Sequence, residues 1–215
     1  MSQHPTAEPE ELDIVSATGR PLGRAGRSEV HDGGHWHEVF HCLVLRSGPP
    51  ARVVLQRRHR SKAAFGGLLD LSATGHLTAG ERPIEGVREL NEELGLQAVA
   101  GDLTPVGVRL MADDGGEGEN RERIHLYFLT DDRPLNGFNP EPSEVEAVVE
   151  VGVAELLTLL ADDQLEVPVV HWSPGMAIEP ATITVGDLVP PVDGYWTVAL
   201  VMAQRFVAGQ RPLGI

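Results

Sequence analysis

One cysteine, one lysine and few aromatic residues mark this chain of 215 residues. With Cys42 alone, no intrachain disulfide can form, and the chain is expected in a reducing compartment, the cytoplasm. Positive charge is scarce as well: 17 Lys and Arg against 32 Asp and Glu leave a formal charge of −15. A surface this acidic repels polyanions, which argues against nucleic acid and anionic membranes as partners. No apolar run approaches the ~18 residues of a membrane span. The opening MSQHPTAEPEEL has no hydrophobic stretch of the signal-peptide kind, and residues 1–10 read as a disordered tail.

What is present is ordinary for one globular core, with 41% apolar and 23% charged residues. Sixteen of the 17 basic residues are Arg, the forked donor suited to phosphate. A coding bias toward Arg, Ala, Gly and Pro explains that count more simply. Strands are expected in LDIV, His37–Arg46, Ala51–His59, Gln97–Ala100, Thr104–Met111 and Ile124–Thr130. Helices are expected at Pro83–Leu94, Val153–Ala161 and Asp193–Val207, the first closed by Gly95 and the last by Gly209. MADDGGEGENRE reads as an acidic, glycine-rich loop. Strands with few helices make a mixed α/β domain.

The informative stretch is Gly75–Leu96, GHLTAGERPIEGVRELNEELGL. On a helix, Glu89, Glu92 and Glu93 fall at i, i+3 and i+4 and project from one face, with Glu85 a turn earlier. Val87, Leu90 and Leu94 form the opposite, sheet-facing stripe. Like charges at this spacing each cost an isolated helix roughly 0.2–0.5 kcal/mol. A hard divalent cation, Mg²⁺ or Mn²⁺, removes that repulsion. Charge runs are usually solvated faces, but here the carboxylates follow Arg88 and a loop carrying Gly75 and Gly80. Flexible backbone beside a charged cluster suits a diphosphate, which needs close N–H groups and a neutralising cation.

This stretch resembles the Nudix box, the signature of the Nudix hydrolases: G, five residues, E, seven residues, then R-E-apolar-x-E-E-x-G-apolar. Gly75, Glu81, Arg88, Glu89, Leu90, Glu92, Glu93, Gly95 and Leu96 match it. One departure stands out. Only RPIEGV lies between Glu81 and Arg88, one residue short. In an α-helix that rotates the preceding part by about 100°, which jeopardises the contacts of Glu81 while leaving the R-E-L-N-E-E core intact.

The resemblance extends over roughly residues 10–160, through SEVHDGGHWHEVFHCLVL, VVLQRRHRSK and GLLDLSATGH, to the branch that includes isopentenyl-diphosphate isomerase. It implies an α/β/α sandwich with a central mixed β-sheet over 11–162, and a C-terminal helical extension over 163–215 packed on the same domain. It also implies a second metal site at His31, His37 and His76, although strand and loop histidines more often bond to backbone. The isomerases place a cysteine immediately before their G-H pair, where this chain has Thr74, and a hydroxyl does not titrate as a thiol does.

The implied activity is therefore hydrolysis of a diphosphate linkage, as in a nucleoside diphosphate joined to another moiety. Glu89, Glu92 and Glu93 would hold Mg²⁺ or Mn²⁺, Arg88 would orient them, and a metal-activated water would attack phosphorus. Isomerase activity and a non-catalytic ligand sensor are the alternatives. Gly75, Gly80, Arg57 and Arg58 are candidate diphosphate contacts; the run Arg57, Arg58, Arg60, Lys62 reads equally as a charged edge strand. Among Glu117, Glu119, Glu122, Glu141, Glu144 and Glu146, the first choices for general base are Glu122 and Glu144. Trp36 is either core or a stacking platform, and Cys42 reads as a small buried hydrophobe. The aromatic residues Tyr195, Trp196 and Phe206 read as packing.

Overall fold

The strand Trp36–Leu45 is buried on both faces along most of its length, as the run VFHCLVL requires, and the fold is built around it. A computed structural model describes residues 10–113, 120–190 and 192–215. In chain order the elements are β1 (Glu11–Val15), β2 (Pro21–Gly26), α1 (Arg27–Asp32), β3 (Trp36–Leu45), β4 (Arg52–Arg58), β5 (Leu69–Asp70), β6 (Ala73–His76), α2 (Arg88–Leu94), β7 (Thr104–Asp113), β8 (Asn120–Thr130), β9 (Val145–Gly152), α3 (Val153–Ala161), β10 (Val167–Trp172), β11 (Glu179–Ile183) and α4 (Tyr195–Val207).

Among the described residues these strands form one mixed sheet, ordered β11-β10-β9-β4-β3-β1-β2, with β8 and β7 branching from β3. The β3–β8 pairing is parallel from Trp36↔Arg121 to Leu45↔Thr130; the other ladders are antiparallel. β3 and β4 pair only at Val44↔Val54 and Leu45↔Val53, then diverge. The gap is filled by β5 against β4 and β6 against β3. Ser72 sits at the apex of the split, where its hydroxyl accepts from the Val44 amide at 2.7 Å and donates to the Val54 carbonyl.

The pleat sends alternate side chains to opposite faces. Leu43, Leu45, Ile124, Leu126 and Phe128 pack with α3 and α4 through Leu156, Leu159, Trp196 and Leu200. Cys42, Val44, Tyr127 and Leu129 pack with α2 through Leu90 and Leu94. Each fully buried Leu contributes about 1.5–3 kcal/mol, so the Leu90 and Leu94 stripe anchors the acidic helix. No described helix is long and apolar enough to cross a membrane.

Several expectations are corrected. Gln97–Ala100 is not a strand; Leu96 is buried under α2, and Ala100–Asp102 forms a 3-10 turn instead. The helix expected over Pro83–Leu94 is two pieces, a 3-10 segment at Pro83–Val87 and then α2. α4 starts at Tyr195, because Asp193 (φ 53°) and Gly194 (φ 65°) are left-handed. The stretch read as MADDGGEGENRE is largely strand at both ends, with 114–119 outside the described residues, as are Glu117, Glu119 and most of the expected tail. The run Arg57–Arg58 is not on an edge, since β4 there lies between β5 and β9.

Candidate functional site

The short spacing between Glu81 and Arg88 is absorbed by local winding. A 3-10 helix turns about 120° per residue against about 100° for an α-helix. Over the five residues Pro83–Val87 the tighter winding gains about 100°, the rotation that the missing residue removes. Glu81 consequently does reach Arg88: its oxygens accept from Nε at 2.8 Å and from Nη2 at 3.0 Å. Glu85 leaves the acidic face and instead pairs with Arg82 at 2.9 Å.

Arg88 gathers the cluster. Its Nη1 donates to Glu89 at 2.6 Å and to Glu92 at 3.0 Å, and its Nη2 to the His76 carbonyl at 2.9 Å. Burial alone would lower the guanidinium pKa; the carboxylates outweigh it and hold it above the ordinary value. Burial likewise works to raise the Glu81 carboxyl, yet Arg88 and Thr78 keep it below the usual range. Glu89 is lodged against Gly75, where any Cβ would overlap its carboxylate. Burial pushes Glu89 up to about 7, against the pull of Arg88. Glu92 is the exposed member, with 53% of its side chain accessible. Glu93 is buried and accepts from Gln56 Nε2 at 2.9 Å and from the Thr74 amide at 2.8 Å; burial drives its carboxyl well above the ordinary value.

The strand β6 carries a second group on its other side. Side chains of Ala73 and Leu77 belong to the α2 side of the sheet, so the intervening Thr74 and His76 face the opposite way. There the ring nitrogens of His31, His37 and His76 lie within 4.8 Å of one another. His31 Nε2 is 3.2 Å from His76 Nε2. His37 Nδ1 lies 3.0 Å from the His35 carbonyl, so this nitrogen must be the donor and Nε2 carries a lone pair. That Nε2 is buried and has no hydrogen-bond partner among the described residues. Burial lowers all three imidazole pKa values, that of His76 to about 2. Three neutral imidazoles, one with an orphaned lone pair aimed inward, fit a transition-metal ion better than Mg²⁺.

The remaining candidates disperse. Glu122 is opposite His37 in the β3–β8 register and accepts from Asn120 at 2.8 Å; burial raises its pKa. Glu144 is paired with Lys62, and Glu146 with Arg60 at 2.7 Å. Arg58 donates to Asp70 at 3.1 Å and Arg57 to the Gly67 carbonyl at 2.8 Å. Gly80 (φ 87°) gives its amide to Asp13 at 2.6 Å. Glu141 stands nearer the box: its amide reaches the Glu93 carbonyl at 3.2 Å, and it lines a groove with Glu92, Asn91, Asn139 and Trp172. Trp36 is half-buried at the start of β3. Cys42 is fully buried on the α2 side, where burial raises its thiol far above the ordinary range. Sequence reasoning missed Gln56; a lone polar residue in the apolar run VVLQ was the available signal.

Comparison with known proteins bears on the family and the fold. A family model described as the NUDIX domain matches residues 10–172. An uncharacterized Nudix hydrolase of Clostridium acetobutylicum is 35% identical over 154 residues, 71% of this chain and 75% of its own length. An isopentenyl-diphosphate Delta-isomerase of Cutibacterium acnes is 33% identical over 158 residues, 68% of this chain and 75% of its own. The fold is shared with a Deinococcus radiodurans protein, DR0079, at TM-score 0.53 and 20% identity over 71% of this chain and 89% of that one. A NUDIX hydrolase from Alicyclobacillus acidocaldarius gives TM-score 0.51 at 11% identity, covering 83% of this chain and 96% of its own. The matched family domain runs from β1 to β10 and takes in the acidic helix and the loop before it, and the chain belongs to the Nudix family.

Proposed function

We propose that this protein hydrolyses a diphosphate linkage with the box carboxylates as its cation site. The observation that carries the reading is the convergence of Glu81, Glu89 and Glu92 on one guanidinium, with Glu93 on the same helix bonded back to β6. So many carboxylates exceed what a single Arg88 neutralises, and the excess suits a hard divalent cation. A bound Mg²⁺ or Mn²⁺ would polarise the phosphoryl oxygens and make water a stronger nucleophile. Glu92, the exposed carboxylate of α2, would be the member of the cation site open to substrate. Glu89, against Gly75, and Glu93, fixed by Gln56 and Thr74, form its inner side. Arg88 keeps the carboxylates from repelling one another and fixes their direction. Glu141, which lines a groove with Glu92, is our first choice to take a proton from water, ahead of Glu122 and Glu144. The substrate class is a nucleoside diphosphate linked to another moiety, or a related small-molecule diphosphate.

The test is phosphate release from a panel of nucleoside diphosphate derivatives, dinucleoside polyphosphates and prenyl diphosphates with Mg²⁺ or Mn²⁺. Glu92→Gln and Glu93→Gln are expected to abolish turnover with the fold retained; unchanged turnover removes these residues from the mechanism.

A second reading, an isomerase of prenyl diphosphates, is favoured by the histidine cluster and the isomerase relatives. Against it stands the chemistry at the strand. Thr74 occupies the position before Gly75-His76, and the thiol of Cys42 is buried on the other face. Metal-dependent deuterium exchange into isopentenyl diphosphate would restore this reading.

A further inference from the structure

Glu93 is held in an asymmetric way. Gln56 Nε2 and the Thr74 amide both donate to the same oxygen, Oε2, at 2.9 and 2.8 Å. Gln56 itself is 1% exposed. It stands directly opposite Asp70 in the β4–β5 pairing, at the place where β4 and β3 have diverged. A carboxylate carried into the interior needs donors to remain useful as an anion, and two donors on one oxygen leave Oε1 as the atom free to meet a cation. Asp70 is not competing for the carboxamide, because Leu71 N and Arg58 Nη1 already serve its oxygens at 2.8 and 3.1 Å.

We infer that Gln56, on a strand outside the box, is a positioning residue for the cation site: it selects which oxygen of Glu93 coordinates. The inference rests on the box being that site. Hydrogen-bonded partners of metal ligands orient them, and losing one typically costs about 10–100-fold in metal affinity. The polarity of the amide follows from the same geometry. With Glu93 ionised to hold a cation, a turned-over amide would set its oxygen against the carboxylate, so in that state Gln56 serves as a donor. A leucine or methionine there keeps the volume and drops the donor; a glutamate adds a like charge.

The experiment measures Mn²⁺ affinity by the electron paramagnetic resonance signal of the free ion, on the full chain carrying His31→Ala so that the histidine cluster does not contribute. Gln56→Met is expected to weaken binding by about 10–100-fold while circular dichroism reports a folded chain. Turnover should return toward the parent value as Mn²⁺ is raised, because the defect is one of cation capture and not of packing. Gln56→Asn, which keeps the donor one methylene short, should fall between the two, and it is the variant to read if Gln56→Met does not fold. Mn²⁺ affinity within twofold of the parent in a folded Gln56→Met chain overturns the inference alone. Unchanged affinity in Glu93→Gln overturns the reading of the box itself, and the inference with it.

Discussion

Arg88 Nη2 donates to the backbone carbonyl of His76 at 2.9 Å, so one guanidinium joins β6 to the acidic helix. The other nitrogens of the same fork hold Glu81, Glu89 and Glu92. Lysine carries the charge but not the planar, multiply donating geometry. Arg88→Lys is therefore expected to reduce kcat/KM by about 10–100-fold, the cost of losing a partner that orients ligands. The melting temperature should move little, because the side chain is partly exposed and its ion pairs are correspondingly modest in stability. Turnover equal to the parent in a folded Arg88→Lys chain would show that the fork is dispensable.

Gly75 is required by a neighbour and not by its own backbone angles, which are unexceptional. A Cβ at that position would overlap the Glu89 carboxylate. Gly75→Ala must turn the Glu89 carboxylate, the end of a flexible side chain, out of its seat, so stability should fall only a little. The loss in Mn²⁺-dependent turnover should exceed what that destabilisation explains. Gly101→Ala is the control, since nothing lies within 4 Å of its added methyl. Equal behaviour of the two variants would remove Gly75 from the site.

The acidic helix was legible because its two faces differ so sharply: Leu90 and Leu94 at helical spacing, Glu89, Glu92 and Glu93 on the other side. α3 was found to the residue, Val153–Ala161, by the same periodicity. The 3-10 winding of Pro83–Val87 was not legible. It accompanies the meeting of Arg88 and Glu81 across the segment, a contact between residues seven apart in the chain. β10 and β11 were hidden by their prolines, Pro168 and Pro180, which face each other's neighbours in the pairing Pro168↔Thr182 and Val170↔Pro180 at the end of the sheet. Gln56 stayed invisible for a different reason: its role is set by Glu93, 37 residues away.

Cys42 gives a clean distinction between activities. Its side chain is fully buried among Phe40, Val44, Leu90 and Leu94, and burial raises its pKa far above the ordinary thiol range. A thiol in this state is a poor nucleophile at neutral pH. Ellman's reagent should label the native chain only as fast as it unfolds, with one equivalent released at once in denaturant. Cys42→Ala should leave hydrolytic turnover within about twofold and cost on the order of 1 kcal/mol for the small void. Rapid labelling of the native protein, coupled to loss of activity, would contradict the burial.

The chain has two tyrosines, and the fold acts on both in the same direction. Tyr127 is stacked on Phe40 at 5.3 Å, and burial raises its phenol pKa. Tyr195, bonded to His41 Nδ1 at 3.0 Å, is raised well above the ordinary value, chiefly by burial and then by the nearby Asp70 and Glu122 carboxyls. A folded-state pKa above the unfolded value near 10 means that the neutral phenols contribute stability fully below about pH 10. That contribution falls away as the pH rises through the folded values, because the unfolded chain then releases protons the native chain retains. Ionisation followed at 295 nm should therefore lag behind that of free tyrosine at pH 10 and rise in a step that accompanies loss of the circular dichroism signal. Tyr195→Phe should halve the amplitude of that step. A gradual rise centred near pH 10 with the fold intact would mean that both phenols are open to water.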